Sequence, residues 1–337
     1  MLYVGVDLHR KSAQLAVMDQ EGSLLLNRKV VSEREELLRV FGEVGGDQAL
    51  EVAFEATYGW GWFADLLDDV GIPAHMVHPK ATKAIASARV KNDAVDAKTL
   101  AHLLRTGLLA ESWIAPPEVR EQRRLVRMRT SLVRIRSRLK CQIHAVLADR
   151  GLHPEGSDLF GAIRPRLSKL GLPVITRQRV EANLRLIEDL DEEIDLADGQ
   201  IHKLLGKDAR VRRLLPIPGI GFTTAALIVA EIGEIERFPS AGHLASWAGL
   251  TPTERSSADH TRMGHISKQG SRWLRWNLVE SACQAARNPL LATFYLPIAS
   301  RRGNKIARVA LAHRLACLCF HALGNPNGCR AFPVRSR

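Results

Sequence analysis

The spacing of apolar and polar positions changes period along the chain. Residues 2–7 (LYVGVD) form a short apolar run, rich in β-branched residues, that ends in an acid. Residues 13–18 (AQLAVM) and 24–31 (LLLNRKVV) repeat the pattern, with the turn-prone DQEGS between them. These runs predict three strands joined by hairpins. The spacing over 33–44 is helical, and residues 49–56 (ALEVAFEA) form a fourth strand-like run containing a second acid near its end. Helix (60–70), strand (74–77) and helix then alternate. Three antiparallel strands followed by β-α-β units predict a mixed sheet with helices on its faces.

Beyond Pro116 and Pro117 the period becomes seven. Leu125, Leu132, Leu139 and Val146 recur at one heptad position, with Met128 and Ile135 at the d-like positions between them. Arginines fill the other faces, from Arg120, Arg123, Arg124 and Arg127 to Arg129, Arg134, Arg136 and Arg138. A second run has Ile187, Ile194 and Ile201 at a, and Leu190, Ala197 and Leu204 at d, with an acidic outer face from Glu188 to Asp195. Both predict long helices in a coiled coil or helical hairpin, and their opposite charges favour pairing within a chain or between chains. After Leu215, residues 216–233 (PIPGIGFTTAALIVAEIG) predict a Gly-rich turn and an apolar helix. A short helix and turn (243–252), a polar loop (ERSSADHTRMG, 254–264) and helices from about 270 to 286 and from about 305 follow. The fold class expected is α/β plus all-α. It has an N-terminal mixed sheet, long coiled-coil helices and a helical C-terminal part. The expected segments are 1–112, 113–208, 209–323 and a tail, 324–337.

Composition narrows the partners. Of 337 residues, 46% are apolar and 25% charged, an ordinary globular balance, and the net charge is +12. From Arg255 onward there are 14 Lys and Arg against 2 Asp and Glu. So lopsided a basic excess points to a polyanion, nucleic acid before membrane. The five cysteines (141, 283, 317, 319, 329) make no CxxC pair and no zinc spacing, which fits a reducing cytoplasm. The apolar stretch 309–323 holds His313, Arg314 and His321, so no membrane span is expected.

Four acids stand out by position. Asp7 ends the first strand, Glu55 the fourth, and Asp93 and Asp96 sit three apart at the start of a helix, hence on one face. If strands one and four are neighbours, all four converge. Such a cluster calls for a cation, and hard oxygen ligands with room for phosphate oxygens suit Mg²⁺ or Mn²⁺. Taken singly, each acid reads as a strand end, a cap or a helix-dipole partner. Jointly they favour a ribonuclease H–like layout. Proofreading-type exonucleases place Asp-x-Glu on the first strand. The text here is Asp7-Leu8-His9, so the layout is nearer to Holliday-junction resolvases.

The C-terminal half supplies candidate nucleic-acid contacts. PGIG (218–221) resembles a helix-hairpin-helix turn, in which Gly219 and Gly221 expose backbone N–H groups to a phosphate. A plain glycine helix stop reads equally well. In 264–276 (GHISKQGSRWLRW), Lys268, Arg272 and Arg275 are candidate phosphate contacts, with Trp273 or Trp276 stacking or packing.

The order of these features resembles the insertion-sequence 110 family of transposases, including its 1111-type branch. The resemblance rests on acids at 7, 55, 93 and 96, a long basic helix, PGIG, then GLTP, RSS and GHISKQGSRWLRWNLVESA, and it runs from about residue 2 to about residue 315. It implies a resolvase-like domain whose Asp7, Glu55, Asp93 and Asp96 bind Mg²⁺, a coiled-coil linker for oligomerisation, and a C-terminal domain with a catalytic serine. That serine matches Ser257, with Ser256 beside it. Ala258 stands where the family often has Gly. The resemblance also implies recombination of donor and target DNA guided by a structured non-coding RNA, by a homo-oligomer whose composite site joins acids of one subunit to the serine of another. In this reading Arg255 and Arg262 clamp phosphate. Two other classes remain open: a metal-dependent structure-specific nuclease in which water attacks, and a non-catalytic nucleic-acid-binding protein.

Overall fold

The structure is a computed structural model, and it describes residues 1–46, 48–78, 92–152, 159–161, 171–257 and 260–325, with backbone alone at 255–257 and 260–262. Two compact units divide at Pro117: residues 1–117 and 118–337.

The first unit holds one mixed sheet of five strands. β1 (Leu2–Leu8), β2 (Ser12–Met18), β3 (Leu24–Val31), β4 (Leu50–Glu55) and β5 (Ala74–Val77) lie in the order β3-β2-β1-β4-β5. β1, β2 and β3 pair antiparallel, whereas β1 pairs with β4 and β4 with β5 in parallel. The β2–β3 turn is built by Asp19, whose carboxylate accepts from the Ser23 N–H at 2.7 Å, and by Gly22 at φ 89°. One face of the sheet carries Val4, Val6, Leu15, Val17, Val52 and Phe54. It packs on α1 (Arg34–Gly45) and α2 (Trp60–Asp69) through Leu37, Phe41, Phe63 and Leu67. The other face carries Tyr3, Ala53 and Val77 against Leu100 and Leu104 of α3 (Asp93–Arg105). With both faces covered, β1 is apolar and buried at nearly every position.

The second unit is helical. α4 (Pro117–Asp149) and α5 (Val174–Leu205) run antiparallel within the chain. Arg129 bonds Asp198 through two nitrogens (2.9 and 3.1 Å), Arg136 bonds Asp191, and Asn183 bonds Gln142. Ile143, Leu147, Val180 and Ile187 fill the interface. The seam of α4 follows the heptads only in part: Leu125, Leu139 and Val146 are half-buried against the cores, but the d-like positions are not. Met128 and Ile135 are 46% and 48% exposed, and the buried positions are Val126, Thr130, Ile143 and Leu147. Nor are all its arginines outward. Arg120 is buried, and Arg123 and Arg127 turn toward the helical core. On α5 the predicted Ile187, Ile194, Ala197 and Ile201 are buried, but Leu205 replaces Leu204.

The core beyond α5 comprises α6 (Ala209–Leu214), α7 (Phe222–Ile232), α8 (Ala241–Trp247), α9 (Arg272–Ala285), α10 (Pro289–Arg302) and α11 (Asn304–Gly324). No periodic run marks α10, which has Pro289 in its first turn, is capped by the Asn288 side chain, and carries Pro297 internally. α11 is long and apolar enough to cross a bilayer, but Leu311, Leu315, Ala316, Cys319 and Leu323 are buried in this core. The polar segment 254–264 is not a loop. β6 (Pro252–Ser257) and β7 (His260–Ile266) form an antiparallel two-stranded hairpin in which Glu254 to Ser257 pair in turn with Met263 to His260, with a register shift between Pro252 and Glu254. Ala258, Cys329 and residues 326–337 of the expected tail lie outside the described residues.

Candidate active site

The sheet register assembles the N-terminal site. Gln14 pairs with Lys29 and Asp7 with Gln14, and one step beyond the Val6–Phe54 pair sets Asp7 level with Glu55. Paired residues share a face, so Lys29, Gln14, Asp7 and Glu55 form a polar row across four strands on the α3 side. Residue alternation brings His9 to the same side as Asp7.

α3 delivers the other two acids. Asn92 is its N-cap, accepting from the Val95 N–H at 2.9 Å, which leaves Asp93 and Asp96 free of the capping role. Both lie in the first turn, where the helix dipole favours negative charge. Gly5 sets the distance between helix and strand. A Cβ on Gly5 would overlap the Ala97 carbonyl oxygen and stand 2.5 Å from the Ala101 nitrogen. Absence of that side chain lets α3 lie directly on β1, two residues from Asp7.

Asp7 is 8% exposed. Burial pushes its carboxyl above the usual range. His9 draws it back, and the charges of Asp93 and Asp96 push it up further. Asp93 is held below the usual range, chiefly by its hydrogen bond from Lys29 Nζ at 3.4 Å. His9 Nε2 lies 3.2 Å from Asp7 Oδ2 and 3.6 Å from Asp93 Oδ1. One donor atom each from Asp7, His9 and Asp93 falls within 4.8 Å of the others, a spacing that fits a single cation. The predicted Asp7, Asp93 and Asp96 thus influence one another electrostatically, and the register puts Glu55 beside Asp7. Sequence reasoning overlooked Lys29 and Gly5 and gave His9 no role at the site. The available signals were an acid-x-His on one strand face and a lone Gly within an apolar strand.

In the second unit the predicted residues scatter by role. Gly219 sits at φ 83°, and a Cβ there would come within 2.5 Å of the Ser281 carbonyl oxygen, so this glycine serves close packing of the PGIG turn on α9. Gly221 is the N-cap of α7, with open space where a side chain would point. Beside this turn, Gly219, Thr223, Thr224, Trp276 and Asn277 line a cavity of about 300 Å³. Arg275 donates to the Ala248 carbonyl oxygen at 3.0 Å, and burial lowers its pKa, so its guanidinium is engaged in holding α8. Arg272 is exposed over the Trp273 ring at 5.1 Å. Lys268 is exposed at φ 54°, the single non-glycine residue with positive φ among those described. Ser257 pairs with His260 at the closed end of the hairpin, Ser256 with Thr261 and Arg255 with Arg262. Their side chains lie outside the described residues.

Comparison with known proteins gives this arrangement a family. Residues 4–150 match the model of a DEDD-type IS110 transposase domain, and residues 211–296 match the Transposase IS116/IS110/IS902 family. A probable family 20 transposase of Pseudomonas aeruginosa is 24% identical, over 95% of this chain and 96% of its own. The transposase for insertion sequence element IS1111A of Coxiella burnetii is 26% identical, over 95% and 89%. That for element IS1328 of Yersinia enterocolitica is 25% identical, over 94% and 95%. The two matched segments take in both the acid row and the serine hairpin, and the chain belongs to the IS116/IS110/IS902 family of insertion-sequence transposases.

Proposed function

We propose that this transposase cuts and rejoins DNA through Ser257, with Asp7, Glu55, Asp93 and Asp96 holding a divalent cation, Mg²⁺ or Mn²⁺. The observation that carries the reading is the convergence of Asp7, Asp93 and Asp96, where burial and like charge raise the Asp7 carboxyl. An ion bound there would supply positive charge to the oxygens of a phosphodiester under attack. Ser257 Oγ forms the new bond to phosphorus and loses its proton to solvent, while the bond to the leaving strand oxygen breaks and that oxygen takes a proton from solvent to become a hydroxyl. Attack by a strand hydroxyl reverses the step and frees the serine. Arg255 and Arg262, paired across the hairpin backbone, serve as phosphate clamps, and Lys268 and Arg272 extend the DNA contact.

The partners in this reading are donor and target DNA, a structured guide RNA and further copies of the chain, with acids and serine drawn from different subunits. Support comes from the family resemblance of the RSS and SKQGSRWLRW segments and, for self-association, from the exposed Met128 and Ile135. The test is incubation of the full chain with labelled donor and target DNA, guide RNA and Mg²⁺, followed by denaturing electrophoresis. A protein–DNA adduct in wild type that Ser257→Ala abolishes is the expected result. Persistence of the adduct in Ser257→Ala rejects the serine assignment, and cleavage without any adduct assigns the attack to water.

A further inference from the structure

We propose that His9 is a nitrogen ligand of the ion held by the acid row, and that the site therefore takes Mn²⁺ in preference to Mg²⁺. This inference rests on the metal-binding reading above and adds a ligand to it. Of the two ring nitrogens, Nε2 faces the acids, at 3.2 Å from one carboxylate oxygen and 3.6 Å from another. With its proton on Nε2 the ring donates to these carboxylates; with the proton on Nδ1 it aims an Nε2 lone pair at the same point as the two carboxylate oxygens, where a cation would be held by all three.

The spacing also fits. Adjacent ligands about 2.1 Å from an octahedral ion stand about 3.0 Å apart; the two His9 contacts, at 3.2 and 3.6 Å, lie near that spacing, and all three donor atoms fall within 4.8 Å. Two further features support the role. His9 lies just beyond β1 on the side of Asp7, so backbone geometry rather than a flexible arm presents it. Its side chain is half exposed, which leaves the ion open to water and phosphate oxygens.

An imidazole changes which ion is held. Mg²⁺ favours an all-oxygen shell and keeps its waters, whereas Mn²⁺ stands above Mg²⁺ in tolerance of imidazole. Lys29, at 3.4 Å from Asp93 Oδ2, offers a second positive charge, but its ammonium has no lone pair and cannot ligate while charged.

Mn²⁺ itself is the probe. Electron paramagnetic resonance titration of the full-length protein gives the Mn²⁺ affinity, and spin-echo envelope modulation detects a directly bound ¹⁴N. Wild type is expected to show nitrogen modulation that changes on ¹⁵N-histidine labelling, and His9→Ala to lose it. His9→Ala is also expected to weaken Mn²⁺ binding about tenfold or more, with a smaller change for Mg²⁺ measured by competition. His75→Ala, which alters another histidine of the same unit beside Glu51 and Glu111, should keep the modulation. Mn²⁺ bound to wild type without nitrogen modulation overturns the inference and leaves the metal reading standing, whether or not the variants fold. Modulation that survives in a folded His9→Ala also overturns it. Failure of wild type to bind Mn²⁺ at all removes the metal reading and this inference together.

Discussion

Gly5 controls how near the helix acids come to Asp7. Its α hydrogen faces Ala97 and Ala101, and any larger side chain must lift the helix. Gly5→Ala is expected to destabilise the first unit by about 1–3 kcal/mol, the range for overpacking a closed interior. If the acids form the metal site, Mn²⁺ affinity falls with it. Denaturant unfolding and a Mn²⁺ titration of the same variant check both, and a variant of wild-type stability would show that α3 yields without cost. At this scale the sequence was legible where chemistry marks a position. Acids ending two apolar runs and a D-x-x-D at a helix start are visible in text. Lys29 was not, because its closeness to Asp93 arises from antiparallel register, which no local window contains; His9 was marked only by an acid-x-His spacing on one strand face.

The first unit's strands and helices follow the chain's periodicity closely because each face of the sheet meets its own partner layer, α1 and α2 on one side and α3 on the other. α4 does not follow it, because it serves two. Its N-terminal part packs on the helical core through Val126, and its C-terminal part packs on α5 through Ile143 and Leu147. The apolar stripe at Leu125, Met128 and Ile135 therefore overlaps the buried face only in part. What anchors α4 to the core is polar and was unreadable in sequence. Glu231 is 1% exposed and takes Arg127 in a two-point pair (2.6 and 2.9 Å), and it accepts from Ser271 Oγ at 2.8 Å. Arg123 meanwhile donates to the last carbonyls of α7, those of Ala230 and Glu231. One acid thus ties α4, α7 and the N-cap of α9 together. Arg127→Ala removes the two-point pair and leaves Arg123 and Arg237 as the positive charges near that buried carboxylate, and is expected to cost about 1.5–3 kcal/mol. Replacing both partners, Arg127→Met with Glu231→Leu, should recover most of the loss. Chemical denaturation of wild type, both singles and the double decides it, and additive losses would show that the two residues act separately.

For the whole molecule, composition was the clearest signal. A net charge of +12, concentrated after Arg255, has a location in the structure: Arg301, Arg302, Lys305 and Arg308 are all exposed around the α10–α11 corner. No acid follows Glu280 in the chain, so nothing nearby in sequence offsets them. Burial of α11 explains why a helix apolar enough for a bilayer carries these charges at its first turns. Its C-terminal length fills the core and its N-terminal end meets solvent. The hairpin at 252–266 escaped reading because PTERSS and HTRMGHI lack the apolar alternation that marks a half-buried strand, so composition pointed to a loop. If the basic corner contacts the DNA backbone, each lost phosphate contact should lower the salt dependence of binding by about 0.9 in the log–log slope. The triple variant Arg302→Gln, Lys305→Gln, Arg308→Gln is then expected to bind duplex DNA more weakly and to flatten that slope by about 2–3. Fluorescence anisotropy from low to physiological salt measures both. A slope equal to wild type would place the DNA elsewhere, and the charge at this corner would then serve solubility.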